Sequence, residues 1–409
     1  MATLPQLPTV VLKILAELLS SDFLPFRQTC KKIRDGTAHF FEHKYFETRS
    51  VMFERRSLQT LIDISEHHTL RGKIRILEIC PNHFQPLDEL RVTEPAIAAL
   101  KYFEILCGEI GSREDSEAIK EDRLSRLNEK AYCEYLEDQE QLLRTGDDIA
   151  LLKQAMKNLT RCESVCLTDG NPWGLEHLRE RIGIYPQKSL SFKSSTSEKL
   201  VEHMIQATLA AIAMTELHIQ TLDISPGFQM NNARCIHPGM LIRSSALLSG
   251  SPMKHICRLY LVLDKHSGLE NTSKWAPSLV QFIESFPSLS HLCLGFDDSD
   301  DMGRFSELCT TLLIPNLEML SLRSINCASM DLAFFLLRHQ KTLRRIQLDW
   351  VMLTDGIKSW RWLFEVVRDS LDITSLGTRG CSGQHSYVVP ELEDIDAHCL
   401  TDVLGSLPI

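Results

Sequence analysis

Two histidines near the start of the chain have the spacing of a metal site. His39 and His43 lie four residues apart, which places both imidazoles on one face of a helix. A protein zinc site needs at least three protein ligands. We identify no suitable third ligand near this pair, which lies among the aromatic residues Phe40 and Phe41. We therefore interpret both histidines as surface and packing residues and expect no metal here.

Cys162, Cys166 and His177 form a second set of possible zinc ligands. Cys166 alternates with Val165 and Leu167 in a segment that we expect to be a strand. This alternation points one cysteine away from the other ligands, whereas zinc needs its ligands in one tetrahedral site. We expect no zinc at this position.

An acidic run at residues 297–301 carries oxygen ligands of the kind that calcium prefers. Gly303 and Glu307 follow it, but their spacing differs from that of an EF-hand loop. We interpret the run as a solvated loop.

Motifs of the common catalytic classes are absent from the sequence. It contains no GxxxxGK[ST] phosphate-binding loop, no HExxH zinc motif and no GxSxG nucleophile elbow. We expect a protein that is not an enzyme and that uses no cofactor. A hydrolase with an unrecognised site is the remaining catalytic alternative.

Charge and hydropathy argue against two classes of partner. The 409 residues include 44 basic and 54 acidic side chains, a net charge of −10, with no long Lys/Arg run to form a phosphate-binding patch. No uninterrupted apolar segment approaches the roughly 20 residues of a membrane span. We therefore expect the protein to bind neither nucleic acid nor a membrane.

The 13 cysteines are scattered along the sequence and odd in number. The first residues include Pro5, Pro8 and Glu17 and no small-residue cleavage site, so we expect no secretory signal. We interpret the cysteines as reduced, mostly buried thiols. The expected location is the cytoplasm, the nucleus or both.

Short amphipathic helices are predicted for the N-terminal region. Thr9 can cap a helix whose apolar residues fall at helical spacing from Val11 to Leu19. Apolar residues from Leu24 to Ile33 predict two more short helices, which end at Gly36. Three such helices cannot bury all their leucines among themselves, so they either dock a partner or cap the body that follows.

The rest of the sequence repeats the pattern LxxLxL. Clear copies begin at Leu289, Leu317 and Leu343, a degenerate copy begins at Leu371, and weaker copies begin at Ile74, Cys162, Ile219 and Ile256. The copies from Leu289 onward are 28, 26 and 28 residues apart, within the roughly 20–29 residue period of a leucine-rich repeat. Each copy predicts a short strand whose aliphatic residues point into one core. The segment Met330–His339 predicts a returning helix, with Asp331 as its cap.

These patterns predict an α/β protein in three parts. Residues 1–48 are expected to form a three-helix module, residues 49–380 an irregular leucine-rich-repeat-like solenoid, and residues 381–409 a C-terminal cap or tail. A charged helical insertion is expected at about 94–158, because the interval between the copies at Ile74 and Cys162 is too long for one unit. One unit cannot bury its own apolar face, whereas stacked units can.

The N-terminal region resembles the F-box. The likeness rests on Leu7-Pro8, the aliphatic residues from Val11 to Leu15, the segment Ser21-Asp22-Phe23-Leu24 and residues 26–33. Much of the remaining chain, to about Gly380, is similar to fungal F-box proteins at residues 135–156, 171–174, 335–343 and 359–364, in the same order.

This resemblance implies a non-catalytic substrate-recognition subunit of an SCF-type (Skp1-cullin-F-box) E3 ubiquitin ligase. It implies that the N-terminal helices bind a Skp1-like linker protein, and through it a cullin-RING ligase, with the residues Leu7, Pro8, Val11, Ile14, Leu15 and Leu18. The solenoid would then hold a protein substrate. The alternative is a leucine-rich-repeat scaffold without a ubiquitin-ligase role, in which the helices only cap the solenoid.

A substrate face is predicted on two neighbouring strands. Polar residues alternate there with the leucines, and Trp350 directly follows the second strand. Tryptophan is enriched among the residues that dominate protein–protein binding. We expect this face to include Met319, Arg323, Arg345, Gln347 and Trp350.

Overall fold

The computed structural model describes residues 23–93, 123–188, 190–191, 194–215, 217–227, 233–234, 236–241, 253–264, 275–296, 304–355, 358–383, 387–395, 400 and 404. The predicted helix from Val11 to Leu19 lies outside these residues. So do residues 94–122 of the predicted insertion and the acidic run at 297–301.

The described α-helices are α1 (Phe23–Gln28), α2 (Lys31–Gly36), α3 (Ala38–Glu42), α4 (Arg55–Glu66), α5 (Glu129–Thr145), α6 (Asp147–Asn158), α7 (Leu175–Ile182), α8 (Ser195–Ala213), α9 (Trp275–Glu284), α10 (Arg304–Thr311), α11 (Ser329–Arg338) and α12 (Lys358–Ser370). A π-helical turn spans His43–Glu47, and a 3-10 turn spans Arg123–Arg126. Among these elements, no helix has the length and apolar character needed to cross a membrane.

The described strands are β1 (Thr48–Met52), β2 (Ile76–Cys80), β3 (Ser164–Leu167), β4 (Leu190–Ser191), β5 (Thr221–Ile224), β6 (Ala233–Arg234), β7 (Arg258–Leu263), β8 (His291–Phe296), β9 (Met319–Arg323), β10 (Asn326–Cys327), β11 (Arg345–Asp349), β12 (Met352–Leu353), β13 (Ser375–Arg379), β14 (Ser382–Gly383), β15 (Tyr387–Val388) and β16 (Leu392–Ile395).

A 10-stranded sheet runs the length of the described chain, and its spatial order follows the chain order: β1-β2-β3-β5-β7-β8-β9-β11-β13-β16. Its neighbouring strands pair in parallel, apart from β13 and β16, which pair antiparallel. Parallel neighbours require crossover connections, usually helices. The molecule is therefore a mixed α/β protein with a mostly parallel sheet.

The register of this sheet aligns one buried aliphatic residue from each of eight successive strands, in the row Leu77, Val165, Leu222, Leu259, Leu292, Leu320, Ile346 and Leu376. Seven of these residues are the fourth position of an LxxLxL copy, and the degenerate last copy contributes Leu376. The strands predicted from the repeat are therefore confirmed.

A ladder of backbone hydrogen bonds fixes the start of each strand. One residue ahead of each strand donates its N–H to the carbonyl of the equivalent residue in the previous unit, at 2.8–2.9 Å. The donors are Arg75, Glu163, Gln220, Cys257, Ser290, Glu318, Arg344 and Thr374, and the first acceptor is Glu47. This ladder holds the units in register although their lengths in sequence differ.

Helices cover one face of the sheet. Their buried residues and the aliphatic rows of the strands form one continuous apolar cluster. Helix α4 packs on α6, and α6 packs on α8. Further along the chain, α9 packs on α10, α10 on α11, and α11 on α12. The last helix of the predicted insertion, α6, thus takes the place of a connecting helix between β2 and β3. The opposite face of the sheet is left for polar residues.

The predicted Asp331 cap is wrong. α11 begins at Ser329 after the N-cap residue Ala328, and Asp331 lies in its first turn, where it accepts a hydrogen bond from Ser306 Oγ at 2.5 Å. The first N–H of the helix is satisfied by the next unit, because Asp355 accepts from both the backbone N–H and the hydroxyl of Ser329. Caps formed between units are not visible in the local sequence.

The two short helices predicted from Leu24 to Ile33 are confirmed as α1 and α2. Phe23 on α1 is fully buried and stacks on Tyr45 with ring centroids 6.1 Å apart. Tyr45 in turn contacts the ring of Trp173, which follows β3, at 5.6 Å. Residues 23–47 therefore pack against the first units of the sheet.

The buried aliphatic rows give a direct test of the fold. We expect Leu322→Ala to lower the free energy of unfolding by about 2–5 kcal/mol, because Leu322 is fully buried and its truncation leaves a cavity. Leu313→Ala removes the same atoms from a side chain that is 51% exposed, and we expect a change within about 0.5 kcal/mol. Urea unfolding of both variants measures the difference, and equal costs would contradict this packing.

Candidate functional site

The predicted substrate face lies on the polar side of the sheet. Met319 of β9 is the register partner of Arg345 of β11, and Arg323 is the partner of Asp349. Met319, Arg323 and Gln347 are half-buried, whereas Arg345 is exposed. The alternation predicted from sequence therefore places these side chains together, on the side opposite the leucines.

Trp350 directly follows β11 and has an unusual backbone conformation. Its backbone has φ 56°, in the left-handed region, which is a genuine outlier for a bulky residue. Its side chain is nevertheless 57% exposed. Strain of this kind costs about 1–3 kcal/mol and is concentrated at functional sites. An exposed indole held in a strained conformation has the character of a binding residue.

The strain at Trp350 is part of a repeated local structure. Ser324 (φ 55°) and Gly380 (φ 60°) occupy the same position, directly after β9 and β13. The N–H of Ser324 donates to Asp349 O at 2.9 Å, and the N–H of Trp350 donates to Arg379 O at 2.7 Å. In each unit, the residue with positive φ is followed by one buried residue and then by a short strand, β10, β12 or β14. These three strands, together with β15, form the second sheet.

Gly380 supports the indole of Trp350 directly. A Cβ atom at Gly380 would lie 2.6 Å from Trp350 Cε3 and 2.7 Å from Cδ2. The ring therefore lies against the backbone of the neighbouring unit in a position that only glycine permits. This contact fixes the direction of an otherwise exposed side chain.

A groove of about 710 Å³ opens on the sheet, between β11, β13 and β16. Its lining combines basic, acidic and apolar groups: Met319, Arg345, Ile346, Gln347, Asp349, Ser375, Thr378, Arg379, Glu391, Leu392 and Glu393. Such a mixed and mostly polar lining suits an extended polar chain better than a small apolar ligand.

Hydrogen bonds hold the side chains that border this groove. Gln347 donates to Asp349 Oδ1 at 2.8 Å, and it lies over Gly377, where an added Cβ would come within 2.0 Å of its amide oxygen. Arg345 Nη2 lies 3.2 Å from His291 Nε2. Burial, with Arg345 and Arg258 nearby, lowers the pKa of His291, so the imidazole is neutral at pH 7 and can accept this hydrogen bond.

A second polar group lies on the same face at the N-terminal half of the sheet. Glu78 accepts hydrogen bonds from Ser50 and from Thr168 Oγ1. Two strands away, burial raises the pKa of Asp223 to about 6, although Ser225 donates to it at 2.7 Å. Burial also raises the pKa of Cys166, between them, to about 12, so this thiol is not a nucleophile at neutral pH.

The structure places the other candidate ligands apart or in packing roles. Among the residues described, no group of three or more His, Cys, Asp or Glu side chains could hold a metal ion. Cys162 is buried with Sγ 3.4 Å from Ser164 O, whereas His177 is exposed and pairs with Glu180 at 3.8 Å. His43 forms an exposed pair with Glu47.

One histidine–serine pair was not predicted from sequence. His83 Nε2 lies 2.7 Å from Ser197 Oγ, and His83 Nδ1 lies 2.8 Å from Pro81 O. Gln85 also donates to Ser197 Oγ at 2.7 Å. Both members of the pair are fully buried, and burial lowers the pKa of His83 to about 4. Because no substrate reaches these atoms, we interpret the pair as an internal hydrogen-bond network.

The residues Leu7, Pro8, Val11, Ile14, Leu15 and Leu18, predicted to bind a linker protein, lie outside the described residues. Sequence reasoning found Trp350 but not its strain or its support. The sequence did contain one signal for this strain. Gly380 directly follows its strand, as Trp350 directly follows the preceding one, and glycine at that position indicates a left-handed backbone.

The support under Trp350 can be tested with two matched glycines. Gly380 and Gly146 both have positive φ, 60° and 73°, so alanine at either position costs about 1–2 kcal/mol. An added Cβ at Gly146 meets nothing within 4 Å. We therefore expect Gly380→Ala to lower the free energy of unfolding more than Gly146→Ala does, and the excess to vanish in a Trp350→Ala background. Equal costs in urea unfolding would mean that the indole does not lie on Gly380.

The raised pKa of Asp223, about 6, predicts a pH-dependent stability. The folded protein binds this proton more tightly than the unfolded chain, so stability present below the unfolded pKa is lost as pH rises through 6. We expect Asp223→Asn to raise the free energy of unfolding, with the gain about 1–2 kcal/mol larger at pH 7.5 than at pH 4.5. A gain that is independent of pH would show that Asp223 is not buried as described.

Comparisons with known proteins do not assign this chain to a family. A scan against protein-family models gives no match, and a search of curated proteins gives none either.

Proposed function

We propose that this protein is a non-catalytic substrate-recognition subunit of an SCF-type E3 ubiquitin ligase. Its N-terminal helices would bind a Skp1-like linker protein, and its sheet would hold a protein substrate. The observation that carries the substrate-binding half is Trp350, which is exposed and held in a strained backbone directly after β11. The linker-binding half rests on the resemblance of residues 7–33 to the F-box.

Several features of the sheet support the proposal that the body is irregular and leucine-rich-repeat-like. Strands follow one another in chain order, their aliphatic residues stack in rows, and a backbone ladder joins equivalent positions. Repeat proteins built in this way present one long face of aligned side chains, which they use to bind other proteins. The antiparallel strand β16 ends the sheet, in keeping with a C-terminal cap.

The groove beside Trp350 supports a protein substrate over a small molecule. Its walls carry Arg345 and Arg379 together with Asp349, Glu391 and Glu393. Charged side chains of both signs are typical of the polar rim of protein–protein interfaces. Trp350, directly after the lining residue Asp349, would supply the aromatic anchor.

The proposed mechanism is proximity. A receptor that holds a substrate next to a ubiquitin-charged enzyme raises the effective concentration of substrate lysines and needs no chemistry of its own. The buried cysteines agree with such a role: burial raises the pKa of Cys162 to about 12 and that of Cys381 to about 11. We propose that the protein acts in the cytoplasm, the nucleus or both.

A leucine-rich-repeat scaffold without a ubiquitin-ligase role is favoured by one observation. Residues 23–47 are continuous with the sheet, because Glu47 O accepts the first hydrogen bond of the backbone ladder from Arg75, and Glu42 pairs with Lys73 at 2.8 Å. A module whose helices pack on the first units can also serve as their cap. The two functions differ in whether a Skp1-like protein binds.

Affinity purification from cells treated with a neddylation inhibitor tests both halves of the proposal. We expect the full chain to recover a Skp1-like protein and the combined changes Leu7→Ala, Pro8→Ala and Ile14→Ala to abolish that recovery. We expect Trp350→Ala to keep the linker protein and to lose the proteins that accumulate on inhibition. Truncating such an anchor typically costs at least about 2 kcal/mol of binding, which is more than tenfold in affinity.

The matched control is Phe334→Ala, which removes an aromatic side chain that is 49% exposed on the helical layer. It should leave every partner in place. Recovery of a Skp1-like protein that is unaffected by the triple change would contradict the F-box assignment. Loss of the same substrates in both aromatic variants would contradict a binding face at Trp350.

A further inference from the structure

Arg49 is a buried cation without a counter-charge. Its side chain lies in β1 at 3% exposure, and its Nε atom has no hydrogen-bond partner. Within the described part of the chain, no carboxylate forms an ion pair with its guanidinium. Burying an unpaired charge is costly, and buried charges in proteins are normally paired.

One aromatic ring partly offsets this cost. The guanidinium carbon of Arg49 lies 4.7 Å from the centroid of the Trp173 ring, a cation–π contact. Such contacts contribute about 0.5–2 kcal/mol, which is less than the several kcal/mol that desolvating an ion costs. The hydrogen-bonding capacity of the guanidinium therefore remains available for a ligand.

The same side chain lines a cavity of about 250 Å³. Trp173, Arg56 and His177 also border this cavity, and Trp173 is 44% exposed. Its volume suits a compact group or the end of a larger molecule rather than a drug-sized ligand. The site thus combines a buried guanidinium, a second arginine and an indole on one opening.

Glu54 is the one carboxylate on the wall of this cavity, and it is already committed. It accepts hydrogen bonds from the backbone N–H groups of Arg56 at 3.0 Å and Ser57 at 2.8 Å, and thereby caps α4. Burial alone lowers the pKa of Arg49 to about 10, with no carboxylate acting in the opposite direction. Arg49 is still charged at neutral pH.

We propose that this cavity binds the anionic group, a carboxylate or a phosphate, of a small ligand. The anion would pair with Arg49 through charge-assisted hydrogen bonds and would meet Arg56 at the opening. Trp173 would form the wall against which the rest of the ligand packs. The site lies at the N-terminal end of the sheet, and it does not depend on the function proposed for Trp350.

Titration of the full-length protein with sodium phosphate and with sodium acetate, at constant ionic strength against sodium chloride, tests the proposal. We expect a saturable rise in Tm and a saturable change in tryptophan fluorescence with at least one of the two anions, since a ligand that binds only the folded state stabilises it. The arm that responds identifies the chemistry of the group.

Two variants make the test specific. Arg49→Met should raise the Tm of the free protein, because it removes an unpaired buried charge, and should weaken anion binding by about ten- to hundredfold. Arg56→Gln changes an exposed side chain, should leave the fold intact, and should weaken binding by less than about fivefold. If Arg49→Met fails to fold, the fluorescence titrations of the wild type and of Arg56→Gln test the proposal instead, through the presence of a saturable anion response and its weakening by less than about fivefold.

Two results would overturn the proposal. One is the absence of a saturable response to either anion beyond that of chloride. The other is a response of the same size and affinity in Arg49→Met as in the wild type.

Discussion

The backbone ladder ahead of the strands is the constraint on which the rest of the structure depends. It joins Glu47 to Arg75 and continues from unit to unit as far as Thr374. Because every unit starts at the same height, the aliphatic residues stack in rows on one face and the polar residues align on the other. Units of very different sequence length, including the long excursion through α5 (Glu129–Thr145) between β2 and β3, are absorbed without loss of register.

Within that regular frame, Trp350 and Arg49 conflict with local physical preference, and Ser324 shares the left-handed backbone of Trp350 at the equivalent position. Trp350 is a bulky residue in a left-handed conformation, and Arg49 is a buried charge with no ionic partner among the described residues. Natural proteins violate such preferences mainly at functional sites. Arg49 lies in β1 and Trp350 directly follows β11, so the two proposed sites are separate.

The sequence predicted most strands of the parallel sheet, for a physical reason. LxxLxL is a local pattern, and the strand that it specifies needs only its own residues to be recognised. Strand β1 was missed because it carries Arg49 at the position where the next strand carries Leu77. The cap of α11 by Asp355 and the contact of Arg49 with Trp173 join residues far apart in sequence, and no local pattern encodes them. The strain at Trp350 follows from a hydrogen bond to the next unit.

We propose that the N-terminal helices and the polar face of the sheet bind different partners. Hydrogen–deuterium exchange of the full chain, alone and with a purified Skp1-like protein, tests this proposal. We expect a stable complex in which new protection is confined to residues 1–48, while the amides around Trp350 exchange as in the free protein. Absence of a complex, or protection centred on the sheet face, would contradict it.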